Sequence, residues 1–257
     1  MKFSLVIPAK NEEKRIPATL GALCRYIVDN TNLSQDEIEV IVVVNNSDDQ
    51  TYEIVNIFKT HYPFIKAFNI DKAIGKGGAI RYGFEKAKGE YIGFVDADMS
   101  SSPIEVFKLL NRLEKSADAA GAIADRYCKK GVIVGKVPIS RRVFSLGFRV
   151  LARILFGLKY HDTQCGLKIF RKDAGKFLMK ENEVNGWTFD LNVLLIANMY
   201  DLNILSVPTV WQYRSDSKLN TKKAMRSVPV EVFDAFLKYK VKPAIPFSSG
   251  MYSHKNA

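Results

Sequence analysis

Residues 75–100 read GKGGAIRYGFEKAKGEYIGFVDADMS. A glycine-rich basic turn leads into a short helical stretch, and an apolar strand over 91–96 follows. The strand ends on two carboxylates, Asp96 and Asp98, and alternate residues of an extended segment point the same way. Such a pair suits Mg²⁺ or Mn²⁺, which prefer carboxylate and phosphate oxygens. The pair also fits a simpler role as a cap for the helix that Pro103 begins, so this motif alone leaves both interpretations open.

Outward from this stretch, strand-like and helix-like segments alternate. We predict strands over 3–9, 39–44, 65–70, 91–96 and 119–124, with helices over 12–28, 50–62, 78–88 and 103–115. The strands are near-continuous apolar runs, as expected when helices cover both faces of a parallel sheet. The pattern predicts an α/β fold with a mostly parallel sheet. Because ligands of such sheets bind at the carboxyl ends of the strands, we expect Pro8–Glu13, Asn45–Asp49 and Asp96–Asp98 to converge.

The positive charge of the chain is concentrated in one region. The whole sequence carries a net charge of +11, and residues 126–176 hold 13 Lys and Arg against 2 Asp and Glu. The remaining sequence holds 25 residues of each sign and is neutral. A basic block of this kind indicates a surface for phosphates or for an anionic membrane. A solvated basic face is the simpler alternative.

Residues 141–158, RRVFSLGFRVLARILFGL, predict a basic helix that is apolar around most of its circumference. The arginines at 142, 149 and 153 share one stripe. Such a helix fits the membrane interface, with arginines toward lipid phosphates. It fits equally well in the protein interior with its arginines toward a binding site. Beyond it we predict a helix over 187–200, a strand over 203–213, a polar loop over 214–223 and a helix over 228–240.

Length and composition limit the class of protein. The 257 residues are 47% hydrophobic, which is enough for a sizeable core. The three cysteines at 24, 128 and 165 are far apart and odd in number, which favours a reducing compartment over a disulfide framework. No secretory signal pattern and no uncharged apolar run of about 18 residues is present, so we expect no spanning helix.

Several motifs together carry a family resemblance. In chain order they are VIPAKNEEKRI, VVVNNSDDQT, GKGGAIRYGF, FVDADMSS, DTQCGLKIFRKD, WTFDLN and SKLN. The chain resembles the family 2 glycosyltransferases with a GT-A fold, and among them the dolichyl-phosphate glucosyl- and mannosyltransferases. The resemblance runs from residue 3 to about residue 220. It implies a GT-A domain over 1–225, with a nucleotide-sugar half (1–126) and an acceptor half (127–225), followed by a C-terminal helix and tail (226–257).

The resemblance implies the reaction and the donor site. A hexose would pass with inversion from UDP-glucose or GDP-mannose to a polyprenyl or dolichyl phosphate, assisted by Mg²⁺ or Mn²⁺ on Asp98 and Asp96. The implied donor-binding residues are Pro8, Ala9, Asn11, Glu12, Glu13, Asn45, Asp49, Lys76, Gly77, Gly78, Arg81, Asp96, Ala97, Asp98 and Lys218. Asn45 stands where the family commonly has an aspartate, and an amide both donates and accepts hydrogen bonds, so base recognition is expected to differ.

The acceptor and catalytic residues are also implied by the resemblance. The implied acceptor-binding residues are Arg126, Arg141, Arg142, Ser145, Asp162 and Gln164. Asp96, Asp98, Asp190 and Arg214 are the implied catalytic residues. Asp190 is either a sugar ligand or a base. The family has an acidic residue two positions later, where this chain has Asn192.

Without a spanning helix, the expected location is peripheral, on the cytoplasmic face of a membrane. Three alternatives remain open. The first is a soluble family 2 enzyme acting on a saccharide or protein hydroxyl, which needs a base such as Asp190. The second is a nucleic-acid-binding module using the basic block, although no DNA-reading motif is present and we expect no nucleic-acid partner. The third is a sugar-nucleotide-binding protein with weak or lost catalysis.

Overall fold

The computed structural model describes residues 1–214 and 231–233. The first half runs β1 Phe3–Ala9, α1 Ile16–Asn30, β2 Ile38–Asn45, α2 Thr51–His61, β3 Ile65–Ile70, α3 Gly75–Lys86, β4 Tyr91–Val95, α4 Pro103–Glu114 and β5 Gly121–Asp125. The second half runs β6 Val132–Val134, α5 Ile139–Phe156, β7 Leu167–Arg171, α6 Lys172–Glu181, α7 Phe189–Met199, β8 Ile204–Pro208 and β9 Val210–Gln212.

Seven strands form the central sheet, in the order β3-β2-β1-β4-β7-β5-β8. Every neighbouring pair is parallel except those that involve β7, which runs antiparallel to both β4 and β5. The predicted α/β fold with a mostly parallel sheet is therefore confirmed. Strand β7, from the second half of the chain, lies between β4 and β5 of the first half, so both halves contribute to one sheet. The predicted domain limits remain a prediction.

Helices cover both faces of the sheet, because its strands are apolar on both sides. On one face, α1, α2 and α4 pack on alternate residues of β1 (Phe3, Leu5, Ile7). On the other face, α3, α6 and α7 pack on Val6, Phe94 and their neighbours. Helix α5 joins this second core through Phe148 and Ala152. None of the helices in the described ranges is long and apolar enough to cross a bilayer.

Several boundaries differ from the predictions. Helix α1 begins at Ile16 rather than residue 12, and α3 begins at Gly75 rather than residue 78. The single strand predicted over 203–213 is two strands, because Thr209 separates β8 in the main sheet from β9, which pairs with β6. The predictions had no element for β6, β7 or α6. Of the predicted helix over 228–240, only residues 231–233 are described, and these are helical.

Candidate active site

The site lies at the edge of the sheet where β1, β2 and β4 end. Strand β7 is antiparallel to β4, with Val95 paired with Leu167, so the loop that precedes β7 reaches the same edge. The amide of Asp96 donates to the carbonyl oxygen of Gly166 at 3.2 Å. The DTQCG motif therefore lies beside the Asp96–Asp98 turn, although about 65 residues separate them in the sequence.

A cavity of about 720 Å³ opens at this edge. The predicted donor residues that line it are Pro8, Ala9, Asn11, Glu12, Asn45 and Lys76, together with the turn Asp96–Asp98. The predicted acceptor residues Arg126, Arg141, Ser145, Asp162 and Gln164 line the same cavity, as does Asp190. The tertiary structure thus brings most of the predicted site residues to one cavity.

Seven predicted residues within the described ranges do not line this cavity: Glu13, Asp49, Gly77, Gly78, Arg81, Arg142 and Arg214. Glu13 and Asp49 instead join the loops that follow β1 and β2. The amide of Glu13 donates to the Asp49 carboxylate at 3.1 Å, and the amide of Gln50 donates to the Glu13 carboxylate at 3.3 Å. Arg142 is exposed on α5. Glu13 and Asp49 therefore connect two loops to each other and do not line the cavity.

The glycine-rich turn has a packing role that differs from the predicted one. A Cβ on Gly77 would lie 2.3 Å from the carbonyl oxygen of Val184, and the Gly77 amide donates to the carbonyl oxygen of Asn185 at 3.3 Å. The Arg81 guanidinium donates to the carbonyl oxygens of Asn182 and Val184 at 2.9 and 2.8 Å. Gly77 and Arg81 therefore hold the segment before α7, while Lys76 reaches the cavity.

Asn45 also acts within the protein. Its amide nitrogen donates to the carbonyl oxygens of Ile70 and Lys72 at 3.3 and 2.7 Å. Its oxygen accepts from the amides of Ile74 and Gly75 at 3.2 and 3.1 Å. An aspartate could not make the two donor contacts, because an ionised carboxylate only accepts. The amide at this position fixes the loop that leads into α3.

Four charged side chains alternate in sign from the core toward the cavity. The buried Lys168 ammonium lies 2.6 Å from Oδ1 of Asp190, and the Lys76 ammonium lies 3.0 Å from Oδ2 of the same carboxylate. Lys76 also lies 2.9 Å from Oδ1 of Asp96. Burial by itself raises the pKa of Asp190, but the two ammonium groups outweigh it and hold that pKa below its usual range. Asp190 is thus an ionised carboxylate with both oxygens engaged.

Arginines that line the cavity contact aromatic rings. Arg126 pairs with the buried Asp162 through Nε at 2.6 Å and Nη2 at 2.9 Å, and its guanidinium lies 5.0 Å from the ring of Trp211. Arg149 lies 3.5 Å from the ring of Tyr127, whose hydroxyl is 3.0 Å from Ser145. These contacts orient several cations toward the cavity, which suits an anionic ligand.

The Asp96–Asp98 turn fits a hard divalent cation that takes its remaining ligands from phosphate oxygens and water. Within the described residues no cluster of three or more His, Cys, Asp or Glu side chains is arranged to hold a metal. The loop before β7 leaves room for the first carboxylate, because a Cβ on Gly166 would lie 1.8 Å from Oδ2 of Asp96. Two carboxylates and a cleft shaped around one of them form an open site rather than a closed cage.

Two residues that line the cavity carry buried polar atoms without a hydrogen-bond partner in the structure, Ser100 Oγ and Gln164 Nε2, and so does Arg214 Nε, which follows β9. Ser100 and Gln164 line the cavity, and Ser100 lies two residues after Asp98 in the sequence. The backbone of Ser100 also accepts from Gln212, which brings the end of β9 and the following Arg214 to this region. These atoms are free to bond with water or with a ligand in the cavity. Lys218 lies outside the described residues.

Sequence reasoning missed Lys168 and Trp211 as site residues and gave Arg149 no specific role. Lys168 lies in an apolar strand, LKIFR, and a single lysine in such a strand is a signal that a buried counter-charge faces it. Trp211 was assigned to a long strand, and only its pairing at Ser101 brings it to the cavity. The sequence predicted the helix that carries Arg149, but it did not distinguish a side chain that faces a membrane from one that faces the cavity.

Replacing Asp162 with asparagine is expected to destabilise the fold by about 3–5 kcal/mol, because Arg126 would lose its buried partner. Burial raises the pKa of Asp162, yet Arg126 outweighs it and the net pKa lies below the usual 3.8. The pair therefore stabilises the fold above that pH and ceases to do so as the pH falls below it. Urea unfolding at neutral and acid pH measures both effects.

The exposed Asp173 on α6 provides a matched control, since its replacement with asparagine removes a carboxylate that makes no buried pair. Equal losses of unfolding free energy in the two variants would contradict a stabilising role for the Arg126–Asp162 pair.

Comparison with known proteins identifies the family that has this fold and cavity. The sequence profile of Glycosyl transferase family 2 matches residues 4–177. The chain belongs to glycosyl transferase family 2. A dolichyl-phosphate beta-glucosyltransferase of Trichomonas vaginalis is 31% identical over 98% of this chain and 74% of its own length. The dolichyl-phosphate beta-glucosyltransferase of Homo sapiens is 32% identical over 85% of this chain and 69% of its own length.

Solved structures confirm the GT-A-type fold of this family 2 glycosyltransferase. Glucosyl-3-phosphoglycerate synthase from Mycobacterium tuberculosis, solved with Mn²⁺, UDP and phosphoglyceric acid, aligns over 96% of this chain and 80% of that chain. The TM-score is 0.65 and the sequence identity 19%. S. aureus TarS, solved with UDP-GlcNAc, aligns over 91% of this chain and 67% of that chain with a TM-score of 0.55 and 21% identity. Family membership favours the enzyme over the nucleic-acid-binding alternative.

Proposed function

We propose that this glycosyltransferase moves glucose from UDP-glucose to a polyprenyl or dolichyl phosphate with inversion at the anomeric carbon. The donor is favoured over GDP-mannose because the similar curated proteins are named glucosyltransferases and the similar solved structures hold UDP or a UDP-sugar. The acceptor follows from the charges in the cavity.

One observation carries the choice of acceptor. Asp190, for which the sequence left open the roles of sugar ligand and base, has both carboxylate oxygens engaged by the ammonium groups of Lys76 and Lys168. A carboxylate in this state is a poor base for a sugar or protein hydroxyl, because its pKa is held low. A phosphate oxygen is already ionised near neutral pH and needs no base. Arg141 and Arg149, which line the cavity, supply the matching positive charge, while Arg126 is already paired with Asp162.

In the proposed reaction, a phosphate oxygen of the acceptor attacks the anomeric carbon from the face opposite the diphosphate. The bond between that carbon and the diphosphate oxygen breaks as the new bond forms. Asp96 and Asp98 would hold Mg²⁺ or Mn²⁺, which supplies positive charge to the departing diphosphate. Lys76 lies 2.9 Å from Asp96 and adds a cation from the protein, and Arg214 is proposed to contact the same diphosphate.

A product assay tests the reaction class and the donor together. The protein is incubated with UDP-glucose, GDP-mannose or UDP-GlcNAc, a divalent metal and a short polyprenyl phosphate, and the glycolipid is detected by mass. We expect a hexosyl phosphate lipid from UDP-glucose alone. Transfer from GDP-mannose would correct the donor. Transfer to saccharide hydroxyls, or donor binding without any product, would contradict the proposal.

Helix α5 supports a peripheral position on a membrane. Ile139, Val143, Leu146, Val150 and Ile154 recur every three or four residues on its outer face, with 79, 64, 53, 47 and 74% of each residue exposed. Arg142 and Arg153 are also exposed. Arg149 and Ser145 of the same helix line the cavity. We propose that the outer face lies in the headgroup region of an anionic, cytoplasmic leaflet, so that a lipid phosphate reaches the cavity directly.

Replacing Ile154 with serine is expected to weaken binding to vesicles that contain phosphatidylserine by about tenfold, because a large exposed apolar side chain is lost from the proposed contact. Vesicle co-sedimentation measures this. Ile57→Ser is the control, since Ile57 on α2 is 59% exposed. Equal binding by both variants and the unaltered protein would show that α5 is not the contact.

A further inference from the structure

Lys168 is a lysine in the middle of the sheet. It lies on β7 with its side chain fully buried, and its ammonium donates to the carbonyl oxygen of Cys165 at 2.7 Å and to Oδ1 of Asp190 at 2.6 Å. The ring of Phe94 on β4 lies 5.4 Å from the same nitrogen. Removing a charge from water is costly unless it is paired and hydrogen-bonded, and Asp190 provides that partner. Lys168 does not line the cavity.

The carboxylate that neutralises Lys168 also holds a second lysine. Lys76 lies at the start of α3 with 35% of its side chain exposed, and it bridges Asp190 and Asp96 at 3.0 and 2.9 Å. Asp96 is a proposed metal ligand, so a bound metal would compete with Lys76 for its oxygens. Asp190 is the second anchor of Lys76, and its other oxygen, Oδ1, is held by Lys168 at 2.6 Å.

The geometry points to Lys168 as a positioning residue that fixes the Lys76 ammonium beside the proposed diphosphate by orienting Asp190. This inference rests on the proposed sugar transfer, because it assigns Lys76 a contact with the donor. Lys168 touches no reacting atom. It acts through one carboxylate, and its effect is expected on the chemical step rather than on the affinity for the donor.

A purely structural pair would show a different pattern. Apolar residues of similar size often replace a buried ion pair without loss of stability. If Lys168 and Asp190 only stabilise the core, removing both charges should restore activity together with stability. If they position Lys76, removing both should restore stability and leave activity low. The double variant Lys168→Met with Asp190→Asn separates these two roles.

The experiment compares three full-length variants: Lys168→Met, the double variant, and Lys172→Met as the control. Lys172 is exposed at the start of α6, four residues further along the chain. Thermal unfolding, binding of UDP with Mn²⁺, and kcat and KM for the donor are measured for each. We expect kcat to fall about tenfold in Lys168→Met and about 100-fold in the double variant, with donor KM within about threefold of the unaltered protein. The control should match the unaltered protein.

A crystal structure of the Lys168→Met variant gives a readout that does not depend on turnover. The Lys76 nitrogen is expected to move by more than about 1 Å from its place between the two carboxylates, a displacement large enough to impair catalysis. Wild-type kcat in the Lys168→Met variant, or an unmoved Lys76 in its structure, would overturn the inference. Absence of transfer by the unaltered protein would instead refute the proposed function, and the position of Lys76 would still test this one.

Discussion

Replacing Asp98 with asparagine is expected to lower kcat/KM for sugar transfer by at least about 10³-fold. Asp98 lies just beyond β4 and lines the cavity, and its Oδ1 accepts from the amide of Ser100 at 2.9 Å, so its position is fixed by the turn. Loss of its charge would weaken the proposed metal site, and a metal contributes several kcal/mol to stabilising the charge on a leaving diphosphate. About 1.4 kcal/mol corresponds to each factor of ten in rate.

Calorimetric titration with Mn²⁺ in the presence of UDP measures the same change without turnover, and binding should weaken in parallel with the rate. Asp29→Asn is the control, because Asp29 is an exposed aspartate near the end of α1. If Asp98→Asn keeps both metal binding and transfer, the Asp96–Asp98 turn has only the capping role that the sequence left open.

Replacing Gly166 with alanine is expected to reduce transfer by about 100-fold with little effect on stability. The added methyl would lie 1.8 Å from Oδ2 and 2.3 Å from Cγ of Asp96, which no packed structure tolerates. The atoms in conflict belong to the end of a side chain, 39% of which is exposed, so the carboxylate can turn away into the cavity. The fold would survive, but Asp96 would leave its place beside Lys76, and a displacement of about 1 Å at an active site costs about 100-fold.

Gly147→Ala provides the matched control. Gly147 lies on α5, and an added methyl there would meet no atom within 4 Å. Alanine also favours a helix over glycine, so this variant should be slightly more stable and equally active. A Gly166→Ala variant with wild-type kcat would show that the position of the Asp96 carboxylate does not matter for the reaction. A large fall in its melting temperature would show that the conflict is relieved by the backbone instead.

The sequence determined most of the first half of the fold. Apolar runs such as YIGFV, separated by helix-like segments, predict parallel strands with helices on both faces, and this pattern is local to each segment. Since parallel strands bring their carboxyl ends to one edge, the convergence of Pro8, Asn45 and Asp96 on one cavity was also predictable. The predicted α5 likewise required only helical periodicity.

Roles that depend on a partner far along the chain were not predictable. The sequence around Asn45 and Gly77 does not reveal their partners. Asn45 binds the loop before α3, and Gly77 packs on Val184. The same holds for Glu13 and Asp49, whose charges suggest a ligand but which join two loops. A polar residue at a strand end can face a ligand or another loop, and only the tertiary structure distinguishes them.

The position of β7 between β4 and β5 could not be predicted from the sequence. Its direction, antiparallel to both neighbours, brings Gly166 against Asp96 and sends Lys168 beneath Asp190. Strand pairing depends on contacts between segments more than 40 residues apart, and no local pattern encodes the choice of neighbour. The sequence alone therefore specified the βα framework and the Asp96–Asp98 turn, while long-range strand pairing placed Gly166 and Lys168 around that turn.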